Sequence, residues 1–358
     1  MTDLSKGMIL VTGGAGFIGS ALVWELNRRG FTNILIADLL GRDEKWKNLV
    51  PLRFADYMEG GDLAGRLEKT PAYFDNVRTV FHLGACSATT ETDAAYLIRN
   101  NFEFTKSLAQ FALDGGRRFV YASSAATYGA LETDLSEARP LQTLRPLNMY
   151  GYSKHLFDCY AERRGILPRL TGLKYFNIFG PNEDHKGDMR SVVHKAFGQI
   201  KQTGRLSLFK SYRPEFPDGG QRRDFLYVKD AVAATVHLAE SVDGGGLYNI
   251  GSGVANTWLN LGESIFRALG LSPQINFIDM PDSLRGKYQY FTCADVAKLH
   301  QTGFTRRITP LGEAIEDYVK NYLQPGIRLG DEPPSILSTC SSAASAQRPS
   351  PSTTVSSY

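Results

Sequence analysis

The chain has 358 residues, of which 42% are hydrophobic and 11% aromatic, and its 40 basic and 37 acidic residues give a net charge of +3. This composition excludes disorder for most of the chain, and the near-neutral balance argues against a dedicated nucleic-acid or membrane-surface protein. No apolar run approaches the roughly 18 residues of a membrane span, and no signal segment precedes the first strand candidate, so we expect a cytoplasmic protein. The four cysteines show no zinc-type spacing, which predicts reduced thiols and no metal.

Short apolar runs alternate with helical patterns along the first half of the chain. Runs that are apolar at every position are typical of strands covered on both faces, and their alternation with helices predicts an α/β fold with a doubly wound parallel sheet. The strand candidates are Met8–Val11, Ile34–Ala37, Thr79–Phe81, Phe119–Tyr121 and Gly172–Phe176.

The pattern divides the chain into three parts. Residues 1–175 are predicted to form a dinucleotide-binding domain, to which a segment near 225–252 returns through the strand-like run Leu247–Ile250. Residues 176–323 are expected to form mainly a smaller α/β substrate-binding lobe, with helices near 190–202 and 230–241. Residues 324–358 are rich in Ser, Thr and Pro, which predicts a disordered tail.

A glycine-rich turn follows the first strand candidate and opens a helix. Gly13 suits the tight turn, Gly16 lets the backbone approach a pyrophosphate, and Gly19 lets the helix pack closely on the strand. Asp38 lies 19 residues beyond Gly19, at the end of the next apolar run, where a carboxylate can accept hydrogen bonds from ribose hydroxyls. The pattern predicts a bound nicotinamide dinucleotide.

The choice between NAD and NADP depends on the loop after Asp38. The carboxylate would repel a 2′-phosphate, whereas Arg42 and Lys45 could neutralise one. The alternative interpretation of these cations is a solvated surface loop. We favour NADP and keep NAD as the alternative.

Tyr150 and Lys154 are four residues apart, so a helix would place both side chains on one face. A nearby ammonium favours the phenolate, which would let Tyr150 take or return a hydroxyl proton. Ser124 follows the strand candidate Phe119–Tyr121 and could hydrogen-bond the reacting oxygen. Because residues after parallel strands converge on one crevice, we expect Ser124, Tyr150 and the glycine turn to meet there. The alternative is a helix-face pair and a serine-rich turn.

The glycine turn, the Ser124, Tyr150 and Lys154 set and the run Arg223–Asp230 resemble the nucleotide-sugar epimerases and dehydratases of the extended short-chain dehydrogenase/reductase family. The runs His82–Glu91, Asn177–Pro181 with His185–Gly187, and Lys287–Gln289 resemble more narrowly the ADP-heptose 6-epimerases. That resemblance spans about residues 8–323. It implies inversion at C6″ of ADP-glycero-manno-heptose for the lipopolysaccharide core, one NADP per subunit and a homo-oligomer, with a pentamer as one arrangement.

The resemblance also assigns site residues. It implies that Tyr150 and Lys186 are the two acid/bases, whereas a lysine in a loop is by default a solvated charge. The implied cofactor residues are Phe17, Ile18, Asp38, Leu39, Lys45, Leu83, Gly84, Ala85, Cys86, Ser87, Asn100, Lys154, Ile178 and Lys186. The implied substrate residues are Asn177, Asp188, Lys195, Phe209, Lys210, Ser211, Tyr212, Arg223 and Tyr288. Arg223 suits a diphosphate, because a guanidinium can grip phosphate oxygens bidentately; its alternative is a surface salt bridge.

Four positions depart from the subfamily pattern: Leu39 and Gly60 near the ribose, and Asp188 and Lys195 in the sugar pocket. Two other functions remain alternatives. One is a different sugar-nucleotide 4-epimerase, which the Lys186 loop disfavours, or a dehydratase, which Thr127 and the lack of an Asp-Glu pair after the serines disfavour. The other is a non-catalytic dinucleotide sensor, which need not retain Ser124, Tyr150 and Lys154 together.

Overall fold

The structure is a computed structural model that describes residues 3–241, 244–285 and 288–331. The strands, numbered in chain order, are β1 (Met8–Thr12), β2 (Ile34–Asp38), β3 (Asp56–Glu59), β4 (Val77–His82), β5 (Arg118–Ser124), β6 (Thr171–Tyr175), β7 (Asn177–Phe179), β8 (Leu206–Phe209), β9 (Arg222–Tyr227), β10 (Gly246–Ile250), β11 (Ala255–Thr257) and β12 (Ile275–Ile278). The helices are α1 (Phe17–Arg28), α2 (Gly60–Lys69), α3 (Ala94–Leu97), α4 (Phe104–Asp114), α5 (Met149–Arg163), α6 (Val192–Thr203), α7 (Val228–Glu240), α8 (Trp258–Leu269), α9 (Asp282–Arg285), α10 (Ala297–Gln301) and α11 (Leu311–Tyr318).

Seven strands of the described residues form one parallel sheet, in the order β10-β6-β5-β4-β1-β2-β3. This confirms the predicted doubly wound α/β fold. The order reverses at β1, whose neighbours are β2 and β4, and a crevice therefore opens beyond the carboxyl ends of these strands.

Helices cover both faces of the sheet, which explains why its strands are apolar at successive positions. Ile9 and Val11 of β1 pack in one core with residues of α1 and α7. Leu10, between them, packs in the other core with residues of α4 and α5. The side-chain alternation of a strand thus feeds two cores, and a polar residue in the middle of β1 would be buried on either face.

The edge strand β3 has no strong sequence signal. Of its four residues only Met58 is buried, because the strand has one neighbour, β2, and faces solvent on its other side. A run with one buried side chain lacks the apolar pattern that identifies the other strands.

The smaller lobe contains a three-stranded sheet, β11-β9-β7, and a two-stranded sheet, β12-β8, within the described residues. Helix α8 packs against α6 and α11 beside these sheets. β7 begins two residues after the end of β6, and β9 is followed directly by α7. These short connections to the large domain hold the lobe beside the crevice.

The folded chain continues past the boundary predicted at Gln324. Leu329 has no exposed surface, and Ile327 packs against the same core, so residues 324–331 do not belong to a disordered tail. The rest of the predicted tail, 332–358, lies outside the described residues. Among the described helices, none combines the length and apolarity of a membrane-crossing segment.

Candidate active site

A long groove lies at the carboxyl ends of β1, β2 and β4. It consists of two adjoining cavities of about 530 and 380 Å³, which share Gly13, Asp38, Lys45, Gly84, Ala85 and Cys86. The groove collects nearly all residues predicted to bind the cofactor: Gly13, Gly16, Phe17, Ile18, Gly19, Asp38, Leu39, Lys45, Leu83, Gly84, Ala85, Cys86, Ser87, Asn100 and Lys186. The predicted residues outside that set are Lys154, which is buried behind the groove, and Ile178, which packs against the core.

The glycine turn has the backbone that a dinucleotide requires. Gly13 has a φ of +70°, and a Cβ there would lie 2.6 Å from Gly84 N. A Cβ on Gly19 would overlap the carbonyl of Gly13. Gly16 is the N-cap of α1, so the free N–H groups of the first helical turn face the groove. These features fit a pyrophosphate lying on the helix N-terminus.

Asp38, the last residue of β2, lines both cavities of the groove and is 8% exposed. Its Oδ2 accepts hydrogen bonds from Ala15 N at 2.8 Å and Gly16 N at 3.2 Å. Its Oδ1 accepts from Leu39 N at 2.7 Å and from Lys45 Nζ at 3.0 Å. The carboxylate therefore fixes the glycine turn, and Lys45 offsets its charge at the groove.

His82, the last residue of β4, lies beneath the groove and is held as a neutral ring. Its Nδ1 lies 2.7 Å from Thr12 Oγ1, and its Nε2 lies 2.8 Å from Thr105 Oγ1. Thr105 donates to Asn101 O, so it accepts from Nε2–H, and Nδ1 then accepts from Thr12. Burial lowers the pKa of His82 to about 3. The histidine is thus a structural residue below the groove.

Asn101 is a site residue that the sequence analysis missed. It is fully buried in a π-helical turn, Ile98–Glu103, and its amide donates to Cys86 O at 2.9 Å and Ser153 Oγ at 3.0 Å. Its Oδ1 accepts from Cys86 N at 2.9 Å. The side chain therefore ties the groove wall at Cys86 to the residue preceding Lys154. The predicted neighbour Asn100 lines the groove itself.

A hydrogen bond joins the Ser124 hydroxyl, at the end of β5, to Tyr150. Asn148 caps α5, its Oδ1 accepting from Gly151 N at 2.8 Å, and Tyr150 lies in the first turn of the helix. A Cβ on Gly151 would lie 2.8 Å from Ala126 O, so glycine allows α5 to approach the turn that follows β5. Burial raises the pKa of Tyr150, and a hydrogen bond from the Ser124 hydroxyl opposes that rise.

Lys154 lies one helical turn beyond Tyr150 and is 5% exposed. Burial lowers the pKa of Lys154 to about 8, while the carboxylate of Asp158, a further turn along α5, opposes the decrease. Asp158 accepts hydrogen bonds from Tyr121 at 2.9 Å, Ser123 at 2.7 Å and Lys174 at 2.9 Å. A fixed negative charge thus lies behind the Lys154 ammonium.

Lys186 approaches the groove from its other wall, on the turn Asp184–Met189. Its Nζ lies 5.3 Å from the centre of the Phe17 ring, in cation–π range. Burial lowers the pKa of Lys186, and the carboxylate of Glu183 opposes that decrease. Lys186 is therefore a half-buried lysine in the groove, and the interpretation as a solvated loop charge is wrong.

The smaller lobe gathers some of the predicted substrate residues. The Arg223 guanidinium lies 5.3 Å from the Tyr288 ring centre and 5.9 Å from that of Trp258, and the Tyr288 ring packs edge-on against Phe209. Arg223 is 8% exposed and donates to the carbonyls of Arg222 and Gln289, so it is not a surface salt bridge.

Other predicted substrate residues lie further out. Lys210, Ser211 and Tyr212 follow β8, where Tyr212 N donates to Tyr290 Oη at 3.0 Å. Asn177, Asp188 and Lys195 are exposed, and none of them lines the cofactor groove. Lys287, which belongs to one of the motifs, lies outside the described residues.

Residues 9–251 match the family model described as the NAD dependent epimerase/dehydratase family. The chain belongs to this family, whose members use a nicotinamide dinucleotide. The chain is 48% identical to the ADP-L-glycero-D-manno-heptose-6-epimerase of Nitratidesulfovibrio vulgaris strain Hildenborough, over 88% of this chain and 98% of that protein. It is 45% identical to the enzyme of the same name from Fusobacterium nucleatum, with the same coverage of both chains.

Solved structures share the fold. The crystal structure of Helicobacter pylori ADP-L-glycero-D-manno-heptose-6-epimerase superposes with a TM-score of 0.74 at 24% identity, covering 90% of this chain and 98% of that one. MoeE5 in complex with UDP-glucuronic acid and NAD gives a TM-score of 0.67 at 27% identity, covering 88% of this chain and 99% of that one.

Proposed function

We propose that the protein interconverts ADP-D-glycero-D-manno-heptose and ADP-L-glycero-D-manno-heptose by transient oxidation at C6″. The observation that carries this proposal is a pair of acid/base groups on separate elements: Lys186, which lines the groove, and Tyr150 on α5, which interacts with Ser124 and with Cys86 of the groove wall. The full-length similarity to enzymes of that name supports the substrate. We also propose that the product supplies the lipopolysaccharide core.

An epimerase must act on opposite faces of the same carbon. A bound nicotinamide would supply the hydride acceptor and donor for this oxidation and reduction. Tyr150 takes the hydroxyl proton of one epimer and Lys186 that of the other, so each group returns the proton that its own epimer requires. Neither group alone serves both faces, which is why the groove needs two.

The surroundings of Tyr150 suit proton transfer. An unperturbed tyrosine holds its proton at neutral pH, and burial raises the pKa of Tyr150 further. The Ser124 hydroxyl favours the phenolate, and a protonated Lys154, one helical turn away, would favour it too. Ser124 also offers a hydrogen bond to the substrate oxygen, which holds it beside the tyrosine.

Lys186 has the properties of a lysine acid/base. A lysine in water is protonated at neutral pH and cannot accept a proton, but desolvation lowers the pKa of Lys186 toward the working range. The nearby Glu183 carboxylate limits the decrease, so the side chain can hold a proton and give it up.

We further propose that NADP is the cofactor, with one molecule in each subunit. Lys45 borders the groove and forms an ion pair with Asp38, so it supplies the positive charge that a 2′-phosphate needs beside a carboxylate. Leu39 is 51% exposed at the same rim and offers no competing charge. NAD is the alternative that affinity measurements would identify.

The cellular setting is also a proposal. Cys86, Cys159 and Cys293 are free thiols in the described part of the chain, which supports a reducing, cytoplasmic compartment. A homo-oligomer stays a prediction, and light scattering on the purified protein measures it.

The purified protein should be incubated with ADP-D-glycero-D-manno-heptose without added cofactor, and the C6″ epimers separated by chromatography. An epimer mixture formed without net consumption of NADP supports the proposal. No conversion after adding NADP or NAD would refute it, and a UDP-hexose 4-epimerase assay would then test the alternative.

A further inference from the structure

Residues 324–331, here called the C-terminal strap, lie against the wall of the cofactor groove. Leu329 is fully buried in the core that also contains Phe17 and Leu22 of α1. A turn closes the strap, in which Asp331 N donates to Arg328 O and Arg328 N donates to Asp331 Oδ2, both at 3.1 Å. The strap is therefore an ordered element with its own contacts.

Asn48 joins three separate segments and is 1% exposed. Its Nδ2 donates to Ala15 O at 3.0 Å, in the glycine turn, and to Asn182 O at 3.1 Å, just before the Lys186 turn. Its Oδ1 accepts from Arg328 Nε at 3.1 Å. Both amide hydrogens and the carbonyl are thus used to connect the two groove walls with the strap.

Asn182 provides a second connection to the strap. Its Oδ1 accepts from Leu329 N at 3.0 Å, and its Nδ2 donates to Ser20 Oγ of α1 at 3.0 Å. Asn182 has a φ of +79°, a left-handed conformation that costs energy in a residue with a Cβ. These side-chain bonds hold the backbone in that conformation immediately before Glu183 and the turn bearing Lys186.

Glu183 completes the anchorage of this turn. Its buried carboxylate accepts from the Ser191 hydroxyl at 2.7 Å, from Ser191 N and from Tyr318 Oη at 3.1 Å. Tyr318 ends α11, and the strap follows α11 by five residues. The C-terminal part of the chain therefore contacts the Lys186 turn at both Glu183 and Asn182.

We propose that the C-terminal strap is a positioning element, which fixes the Lys186 turn relative to the glycine turn through Asn48, Asn182 and Arg328. The inference rests on the proposed acid/base role of Lys186. Two acid/bases that address opposite faces of one carbon need fixed separation, because a displacement of about 1 Å can cost about 100-fold in rate. The strap provides this by joining both walls from outside the groove.

Two truncations of the full chain test the proposal. One ends after Asp331 and keeps the strap, whereas the other ends after Leu323 and removes it. We expect the longer form to match the full chain in kcat and in amide hydrogen exchange of residues 182–190. The shorter form should lose about tenfold or more in kcat, with KM changed less, and should exchange faster in residues 182–190.

Point variants cover the case in which the shorter form does not fold. Arg328→Met should raise exchange in residues 182–190 and lower kcat, and Arg328→Lys should restore much of both, because it keeps a donor for Asn48. The matched control is Arg307→Met, since Arg307 is 73% exposed and pairs only with Glu313 in the described residues. Unchanged exchange in folded Arg328→Met protein would overturn the strap proposal. Inactivity of the full chain would instead refute the proposed function, and the exchange measurement would still test the strap.

Discussion

Lys45 Nζ lies 3.0 Å from Asp38 Oδ1, both residues line the two adjoining cavities of the groove, and the Lys45 side chain is 17% exposed. The lysine neutralises a carboxylate whose other oxygen holds the glycine turn. One ion pair therefore connects the conformation of the glycine turn with the positive charge at the groove.

Replacing Lys45 with Met should weaken NADP binding by about tenfold, which corresponds to about 1.4 kcal/mol for one lost charge contact. NAD affinity should change less, because NAD carries no 2′-phosphate. Titration calorimetry with both cofactors measures the two affinities. Lys47→Met is the matched control, since Lys47 lies outside the groove lining and forms an ion pair with Glu44 at 2.7 Å. Equal losses for the two cofactors would contradict a role in 2′-phosphate recognition.

Tyr150→Phe and Lys186→Met should each reduce epimerisation by about 10²- to 10⁴-fold while leaving cofactor bound, because each removes one acid/base. The double variant should have no measurable turnover. Chromatographic assay of epimers and the absorbance of bound cofactor give the two readouts. Tyr152→Phe serves as the control, since Tyr152 is 44% exposed on the same helix. Turnover unchanged in the double variant would refute the two-base mechanism.

The pH profile of kcat/KM should fall on the alkaline side with a midpoint near pH 8, because burial lowers the pKa of Lys154 to about 8. Above that pH the neutral amine no longer favours the Tyr150 phenolate. Lys154→Arg keeps its charge, so its alkaline fall should move to higher pH.

The same shift affects stability. An unfolded lysine titrates at higher pH than folded Lys154, so the unfolded state binds more protons above about pH 8 and the Lys154 contribution to stability rises there. Below the folded pKa the buried charge is a constant cost. If the alkaline fall of kcat/KM does not move to higher pH in Lys154→Arg, a group other than Lys154 controls it.

Asp158→Asn should lower the free energy of unfolding by about 3 to 5 kcal/mol, because it leaves the buried Lys174 ammonium without its counter-charge. Lys174 and Asp158 are both nearly inaccessible to solvent, and their 2.9 Å contact lies behind Lys154. Urea denaturation followed by circular dichroism measures the change. Glu162→Gln, one turn further along α5 where the side chain is exposed, should change stability by less than about 1 kcal/mol. A comparable loss in both variants would contradict the ion-pair argument.

The sequence predicted those parts of the fold and site in which neighbouring residues carry the signal. The glycine turn and Asp38 lie within one strand-turn-helix unit, and Tyr150 and Lys154 lie one turn apart on α5. The central strands were recognisable because two helical layers make them apolar throughout.

The missed features join residues that are distant along the chain. Asn48 and Arg328 are 280 positions apart, and only the fold shows that their side chains meet. Asn101 gave no signal because a buried asparagine in a helix looks like an exposed one in sequence. The strap was predicted as tail because one buried residue, Leu329, among polar neighbours produces no periodic pattern.

The most direct measurement is epimerisation of ADP-D-glycero-D-manno-heptose by the purified protein in D₂O, followed by NMR of C6″ in the product. If hydride is removed from C6″ and returned to the same carbon, the inverted product carries no solvent deuterium at C6″. Deuterium on that carbon would show exchange with solvent, and absence of inversion would show that this substrate is not used; either result would contradict the account.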